Sequence, residues 1–246
     1  MKRAKQIQEW KKDFPRSDIF FETPNGILYL GDCMEIMQGF PKKSFPLILT
    51  DIPYGVVSRN AEPLRNLDKG DADVLTFDLK DFLKLIVDLC SGSLYIWCGS
   101  EQLSLIREFL INSGFTTRVG VWEKTNPSPM NGEFLWLSGI ELCVYGKLPK
   151  ATFNEFCKNP VWRYPRGSSK RHPTEKPLQL FEYLIKVSSN EGDLVLDPCL
   201  GSGTTALACE RLNRRWIGIE INRKYCEIAR NRLEAFAKQS RLNEFC

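Results

Sequence analysis

The stretch "LVLDPCLGSGTTALACERLNRRWIGIE", residues 194–220, leaves this chain little choice of architecture. A short apolar run ends at Asp197. A glycine-bearing turn follows, then a helix-forming segment, then a second apolar run that ends at Glu220. Strand, Gly-rich turn, helix and acid-tipped strand together make a βαβ nucleotide-binding unit. Gly201 and Gly203 let the backbone approach a ligand closely, and Glu220 is placed to bind ribose hydroxyls. No lysine follows the glycines, so the turn is no phosphate loop. Asp197 would repel pyrophosphate but suits a cationic or amino-bearing ligand. S-adenosylmethionine has a ribose, an adenine, an ammonium and a sulfonium, and no phosphate, so it fits.

The rest of the chain alternates in the same manner. Strands are expected at 26–32, 45–55, 92–99, 116–124, 139–147, 192–199 and 214–222. Helices are expected at 78–90, 100–114, 176–189 (with a proline just inside its start), 201–213 and 223–240. Residues 56–77 read as a loop, and 147–172 show no clear period. This is an α/β pattern. With 246 residues, 43% of them hydrophobic, the chain suits one domain over 1–246. No apolar run would span a bilayer, and the charged N-terminus "MKRAKQIQEWKKDF" is no secretory signal but an amphipathic helix or a loose basic arm. The nine cysteines form no CxxC pair, and with a single histidine no metal site is expected. Reduced thiols place the protein in the cytoplasm (nucleoid-associated) or the nucleus, neither secreted nor in a membrane.

Two further stretches carry chemistry. "PLILTDIPYG" sets Asp51 at the tip of an apolar strand, with Pro53 and Tyr54 directly behind it. From Phe156 to Thr174 there is no acid, while Lys158, Arg163, Arg166, Lys170 and Arg171 are interleaved with Trp162 and Tyr164. Cations for phosphates and rings for bases fit a nucleic-acid surface, and an ordinary solvated loop fits the same residues.

At this point the sequence resembles the DNA amino-methyltransferases, which methylate adenine N6 or cytosine N4. "DIPY" is similar to their catalytic D/N/S-P-P-Y/F motif and "DPCLGSGTT" to their cofactor motif. "HPTEKP" (172–177), "GDCMEIM" (31–37) and "WEKTNPSPM" (122–130) resemble other segments of the family. The catalytic motif comes first and the cofactor motif last, which is the order of the β class. The resemblance implies the S-adenosylmethionine-dependent methyltransferase (Rossmann-like) fold in circularly permuted order, with a mostly parallel seven-stranded sheet and an antiparallel last strand. Ile52 departs from the family's first proline, and Cys199 from its common phenylalanine.

The resemblance also implies roles. Asp51 and the Ile52 carbonyl would hold the two N–H groups of a target amine, Pro53 would fix the turn, and Tyr54 would stack on the base. The lone pair of an exocyclic amine is delocalised into its ring, and two acceptors turn it toward the sulfonium methyl. The carboxylate also stabilises the cation that forms in direct in-line displacement. Asp197 would take the methionine ammonium, with Pro198 and Cys199 in the same motif and Cys199 as a pocket wall, not a nucleophile. Gly201 and Gly203 would pass under the cofactor, with Ser202 and Thr204 at the helix start. Glu220, followed by Ile221, would bind the ribose. Asp32 would contact the adenine amine, with Cys33 nearby; a plain helix cap is its blander role. Lys176 would meet the methionine carboxylate, with His172 and Thr174 in the same loop. Residues 147–171 are the candidate target-recognition segment, through Lys158, Trp162, Arg163, Arg166, Lys170 and Arg171. Trp122 and Trp136 read as core, and the charges of the last helix as a solvated face.

The expected activity is S-adenosylmethionine-dependent methylation of adenine N6 in DNA, as in restriction–modification systems. The DNA would be double-stranded with the base flipped out, or single-stranded. Asp at position 51 favours adenine, because the family's cytosine-N4 members mostly carry serine there. N4-cytosine methylation, RNA adenine methylation and a silent nucleic-acid-binding subunit stay open as alternatives. A homodimer is compatible with the short recognition segment; no membrane and no metal partner is expected.

Overall fold

The computed structural model describes residues 9–54, 77–129, 132–167 and 176–243. In chain order the elements are β1 (Ile19–Glu22), β2 (Gly26–Leu30), the short helix α1 (Cys33–Ile36), β3 (Phe45–Asp51), α2 (Leu79–Leu89), β4 (Cys90–Cys98), α3 (Ser100–Asn112), β5 (Thr116–Lys124), β6 (Ile140–Lys147), β7 (Val161–Tyr164), α4 (Leu178–Ser188), β8 (Leu194–Asp197), α5 (Thr204–Arg211), β9 (Arg215–Glu220) and α6 (Arg223–Asn243). The strands form one sheet in the order β1-β2-β9-β8-β3-β4-β6-β5-β7.

Strand alternation divides the core into two layers. Ile48, Leu196, Ile217 and Ile219 point to the side covered by α2 and α3. Leu47, Leu49, Val195 and Trp216 point to the side covered by α4, α5 and α6. A mostly parallel sheet must be covered on both faces, which is why β3, β8 and β9 read as nearly unbroken apolar runs. The helices supply matching stripes. In α2, Phe82, Leu83, Ile86 and Leu89 are buried, and the Asp78 carboxylate caps the start by accepting from the Lys80 and Asp81 amides at 2.9 and 3.0 Å.

Seven strands were expected, and the described residues form nine. β1 pairs antiparallel to β2 at one edge, and β7 pairs parallel to β5 at the other. Both have four residues, too few for a two-residue period to stand out, so short edge strands left little trace in the sequence. Within the seven expected strands, the antiparallel member is β6, which runs against both β4 and β5. Pro177 caps α4 rather than lying inside it. Trp10 and Lys11, within the N-terminal stretch read as a helix or loose arm, lie in a four-residue 3-10 turn and are buried. All eight described cysteines are free thiols, six of them buried. Among the described residues, no helix is long and apolar enough to cross a membrane.

Candidate active site

Strand order brings the carboxylates together. β2, β9, β8 and β3 are neighbours and mutually parallel, so their C-terminal ends share one edge of the sheet. Asp32 follows β2, Glu220 ends β9, Asp197 ends β8 and Asp51 ends β3. In open α/β sheets ligands bind at this edge, outside the carboxyl ends of the strands.

The Gly-rich turn joins β8 to α5. Gly201 and Gly203 have φ of 55° and 86°, the left-handed region that glycine tolerates. A Cβ on Gly203 would lie 2.7 Å from the Ala229 Cβ, so α6 packs directly on the turn. Arg232 of α6 donates through Nη1 to the Ser202 carbonyl at 2.7 Å, to Ser202 Oγ at 3.0 Å and to Thr204 Oγ1 at 3.3 Å. The α6 charges are therefore not all solvated: Arg232 staples the turn. Both Glu220 oxygens accept backbone amides, Oε2 from Gly201 at 2.8 Å and Oε1 from Asn222 at 2.7 Å. Burial nonetheless pushes its carboxyl above the ordinary range.

Asp197 is 3% exposed. Its Oδ2 accepts from Thr205 Oγ1 at 2.5 Å and its Oδ1 from the Cys199 amide at 3.1 Å. Burial outweighs these bonds and pushes the carboxyl up to about 7. Asp32 caps α1, accepting from the Met34 amide at 2.7 Å. The Cys199 thiol stands against Cys33, which together with burial raises it well above its ordinary range. Ile221 is exposed beside Glu220.

The second half of the site is the turn after β3. A quarter of the Asp51 side chain is exposed, while that of Lys176 is only 4% exposed. Lys176 Nζ donates to Asp51 Oδ2 at 2.5 Å, to Glu141 Oε2 at 2.9 Å and to Tyr54 Oη at 3.2 Å. The same ammonium lies 5.5 Å from the Tyr54 ring centroid and 5.6 Å from that of Trp97. Tyr54 Oη is 3.2 Å from both Asp51 Oδ1 and Glu141 Oε2. Glu141 Oε1 accepts from Lys124 Nζ at 2.9 Å. Burial raises the Asp51 carboxyl, and Lys176 pulls it back. Burial opposes the Lys176 ammonium, but Asp51, Tyr54 and Glu141 together lift it well above its ordinary value. Burial also opposes ionisation of Glu141, but Lys176 and Lys124 prevail and hold it down at about 2. Ile52 is buried, and its amide donates to the Trp97 carbonyl at 3.2 Å. Gln102 Nε2 donates to the Pro53 carbonyl at 3.0 Å, which ties the turn to α3.

Lys176 thus pairs with two protein carboxylates, Asp51 and Glu141, beside the role toward a methionine carboxylate expected for it. Glu141 and Lys124 escaped the sequence reading. Their signal was the one that exposed Asp51: a charge at the end of an apolar strand. Trp162 requires a correction. It was expected on a nucleic-acid surface, but it is buried, with its ring over Gly120 and 5.8 Å from that of Trp97. Adding β7 to the sheet turns that side chain inward. Trp122 is core, as expected, with its indole N–H donating to the Tyr164 carbonyl at 2.8 Å. Trp136 is not: it is 99% exposed, beside exposed Phe134 and Leu135. Arg163 and Arg166 are exposed at the end of β7 that shares the site's edge of the sheet. Lys158 is exposed too, but it precedes β7 and stands toward the opposite edge. His172, Thr174, Lys170, Arg171 and nearly all of loop 56–77 lie outside the described residues.

The chain is similar to known DNA methylases. Residues 121–231 match the family model of a DNA methylase. The chain is 30% identical to the type II methyltransferase M.HpaI of Haemophilus parainfluenzae, over 85% of this chain and 74% of that protein. The crystal structure of an M1.HpyAVI–SAM complex matches with a TM-score of 0.66 and 30% identity, over 83% of this chain and 98% of the other. The PvuII DNA methyltransferase, described as cytosine-N4-specific, matches with a TM-score of 0.72 over 88% of this chain and 89% of the other; at 22% identity the likeness is one of fold.

Proposed function

The chain belongs to the DNA N6-adenine/N4-cytosine methyltransferase family, S-adenosylmethionine-dependent enzymes, and we propose that it methylates the exocyclic N6 of adenine in DNA. The residues at the strand ends fit that donor. Asp197 is a buried carboxylate with no lysine or arginine among its hydrogen-bond partners in the described residues, so an ammonium would complete it. Gly201 and Gly203 shape the turn beside it, and Glu220 and Asp32 lie at the ends of the paired strands β9 and β2, for the ribose and adenine. When bound, the donor supplies an electrophilic methyl group on a sulfonium.

The protein's part is to make the amine a nucleophile. Asp51 Oδ1 and the Ile52 carbonyl accept the two N–H bonds of the amine and turn its lone pair toward the methyl. As the N–C bond forms, positive charge grows on nitrogen, and the Asp51 carboxylate stabilises it. The surplus proton leaves to Asp51 or to water. Tyr54 stacks on the base. The reacting groups gain further rate from being held in line.

The observation that carries the choice of base is the partly exposed Asp51 carboxylate itself, where the resemblance places serine in most N4-cytosine enzymes. A base paired within a duplex cannot offer its amine to this acceptor pair, so the target is flipped or single-stranded. Among the described residues of the candidate recognition segment 147–171, exposed Arg163 and Arg166 lie near the site and suit phosphate contact.

Purified protein and an Asp51→Ala variant, incubated with S-adenosylmethionine and unmethylated DNA or RNA, test the reading through mass spectrometry of the digested nucleosides. N6-methyldeoxyadenosine from the unmodified protein alone is expected. N4-methyldeoxycytidine, or product in RNA alone, would overturn the assigned substrate. No product despite cofactor binding would overturn the activity.

A further inference from the structure

Resting on the reading of Asp51 as the acceptor carboxylate, we infer that Lys176 and Glu141 are positioning residues that hold Asp51 with one oxygen engaged and the other presented to the substrate amine. Four charges alternate along one line through the protein: Lys124, Glu141, Lys176, Asp51. Lys176 takes Asp51 Oδ2 at 2.5 Å and so fixes the plane of the carboxylate. Oδ1 is left with the Tyr54 hydroxyl at 3.2 Å. That hydroxyl already accepts from Lys176, and its single proton faces two acceptors at equal distance, Asp51 Oδ1 and Glu141 Oε2. Turned toward Glu141, it leaves Oδ1 open for an amine N–H. Glu141 therefore does two things: it anchors Lys176 and offers the tyrosine proton a second place. It can remain anionic while half-buried because two ammonium groups, Lys124 and Lys176, share it.

Charge supplies the second half of the argument. A carboxylate buried beside another carboxylate tends to hold its proton, and a protonated Asp51 loses the anion that stabilises the cationic amine. Lys176 opposes this, and Glu141 favours it. Among the described residues, the other titratable groups around Asp51 are Tyr54 on its own turn, Cys98 on β4, Cys143 on β6 and Asp197 on β8. Burial keeps both thiols and the phenol protonated at neutral pH. Asp197 titrates near 7 and needs a separate signal.

The test is a carboxyl-carbon NMR titration of the full chain labelled at aspartate, with the Asp51 signal assigned by loss in Asp51→Asn. Lys176→Met should raise the Asp51 midpoint by about one to three units, and Glu141→Gln should lower it. Shifts of opposite sign distinguish positioning from general damage. The acidic limb of the single-turnover methylation rate should move with each midpoint, while S-adenosylmethionine affinity stays within about twofold. Midpoints that do not move, or that move together, overturn the inference. So does a Lys176→Met variant that keeps the Asp51 midpoint but loses cofactor affinity, which would return Lys176 to the methionine carboxylate. If the unmodified protein binds the cofactor and methylates nothing, the functional reading fails, and the titration still decides the positioning claim.

Discussion

Asp197→Asn should make the cofactor-free protein more stable at alkaline pH while it abolishes cofactor binding. The folded carboxyl titrates near 7, against about 3.9 in an unfolded chain. A carboxyl raised on folding favours the fold while protonated, and that contribution disappears as pH rises through the folded value. Three units at about 1.4 kcal/mol each amount to about 4 kcal/mol, roughly 2–3 kcal/mol of it between pH 5 and pH 8. The asparagine stays neutral and can keep the Cys199 amide bond, though its NH2 must find an acceptor at a cost of about 1 kcal/mol. Urea unfolding of both proteins without cofactor, at pH 5 and pH 8, isolates this group, because all others cancel in the difference. The unmodified protein should lose about 2–3 kcal/mol more than the variant over that range. With saturating S-adenosylmethionine it should recover, because an ammonium beside Asp197 lowers the cost of ionising it, and the variant should show no such gain. Parallel pH dependences in the two proteins would refute the claim that Asp197 is held near neutrality by burial.

Two further outcomes rest on packing. Gly203→Ala combines a left-handed φ of 86° with a Cβ 2.7 Å from that of Ala229. It should cost about 1–3 kcal/mol in urea unfolding and reduce cofactor affinity; a change under about 0.5 kcal/mol would show that α6 yields. Trp162→Ala should cost about 3–5 kcal/mol, as for a buried aromatic. Arg166→Ala should leave stability within about 0.5 kcal/mol but reduce the salt slope of DNA binding by about one, and the reverse ranking would put Trp162 back on the DNA.

Order along the chain already carried the Gly-rich turn, the acid at each strand tip and the alternation of strands and helices. These are local properties. Glycine's freedom at positive φ, the two-residue period of a strand and the packed apolar run act over a few residues, so the sequence displays them directly. The edge strands β1 and β7 and the direction of Trp162 were not local, because a four-residue strand exists only through the neighbour it pairs with. Trp136 shows the converse: an apolar string reads as core, yet the connection between β5 and β6 carries it into solvent. The pairing of Lys176 was furthest from view. A lysine before a helix announces an anion nearby, but which anion depends on which strand ends meet. Asp51 lies 125 residues away and becomes its partner because β3 sits between β8 and β4. Glu141 joins them because β6 packs against β4 in the opposite sense, bringing the start of one strand to the end of the other. Coulomb attraction in a buried pocket is decided by distances of a few ångströms, and those distances exist only once the sheet has formed.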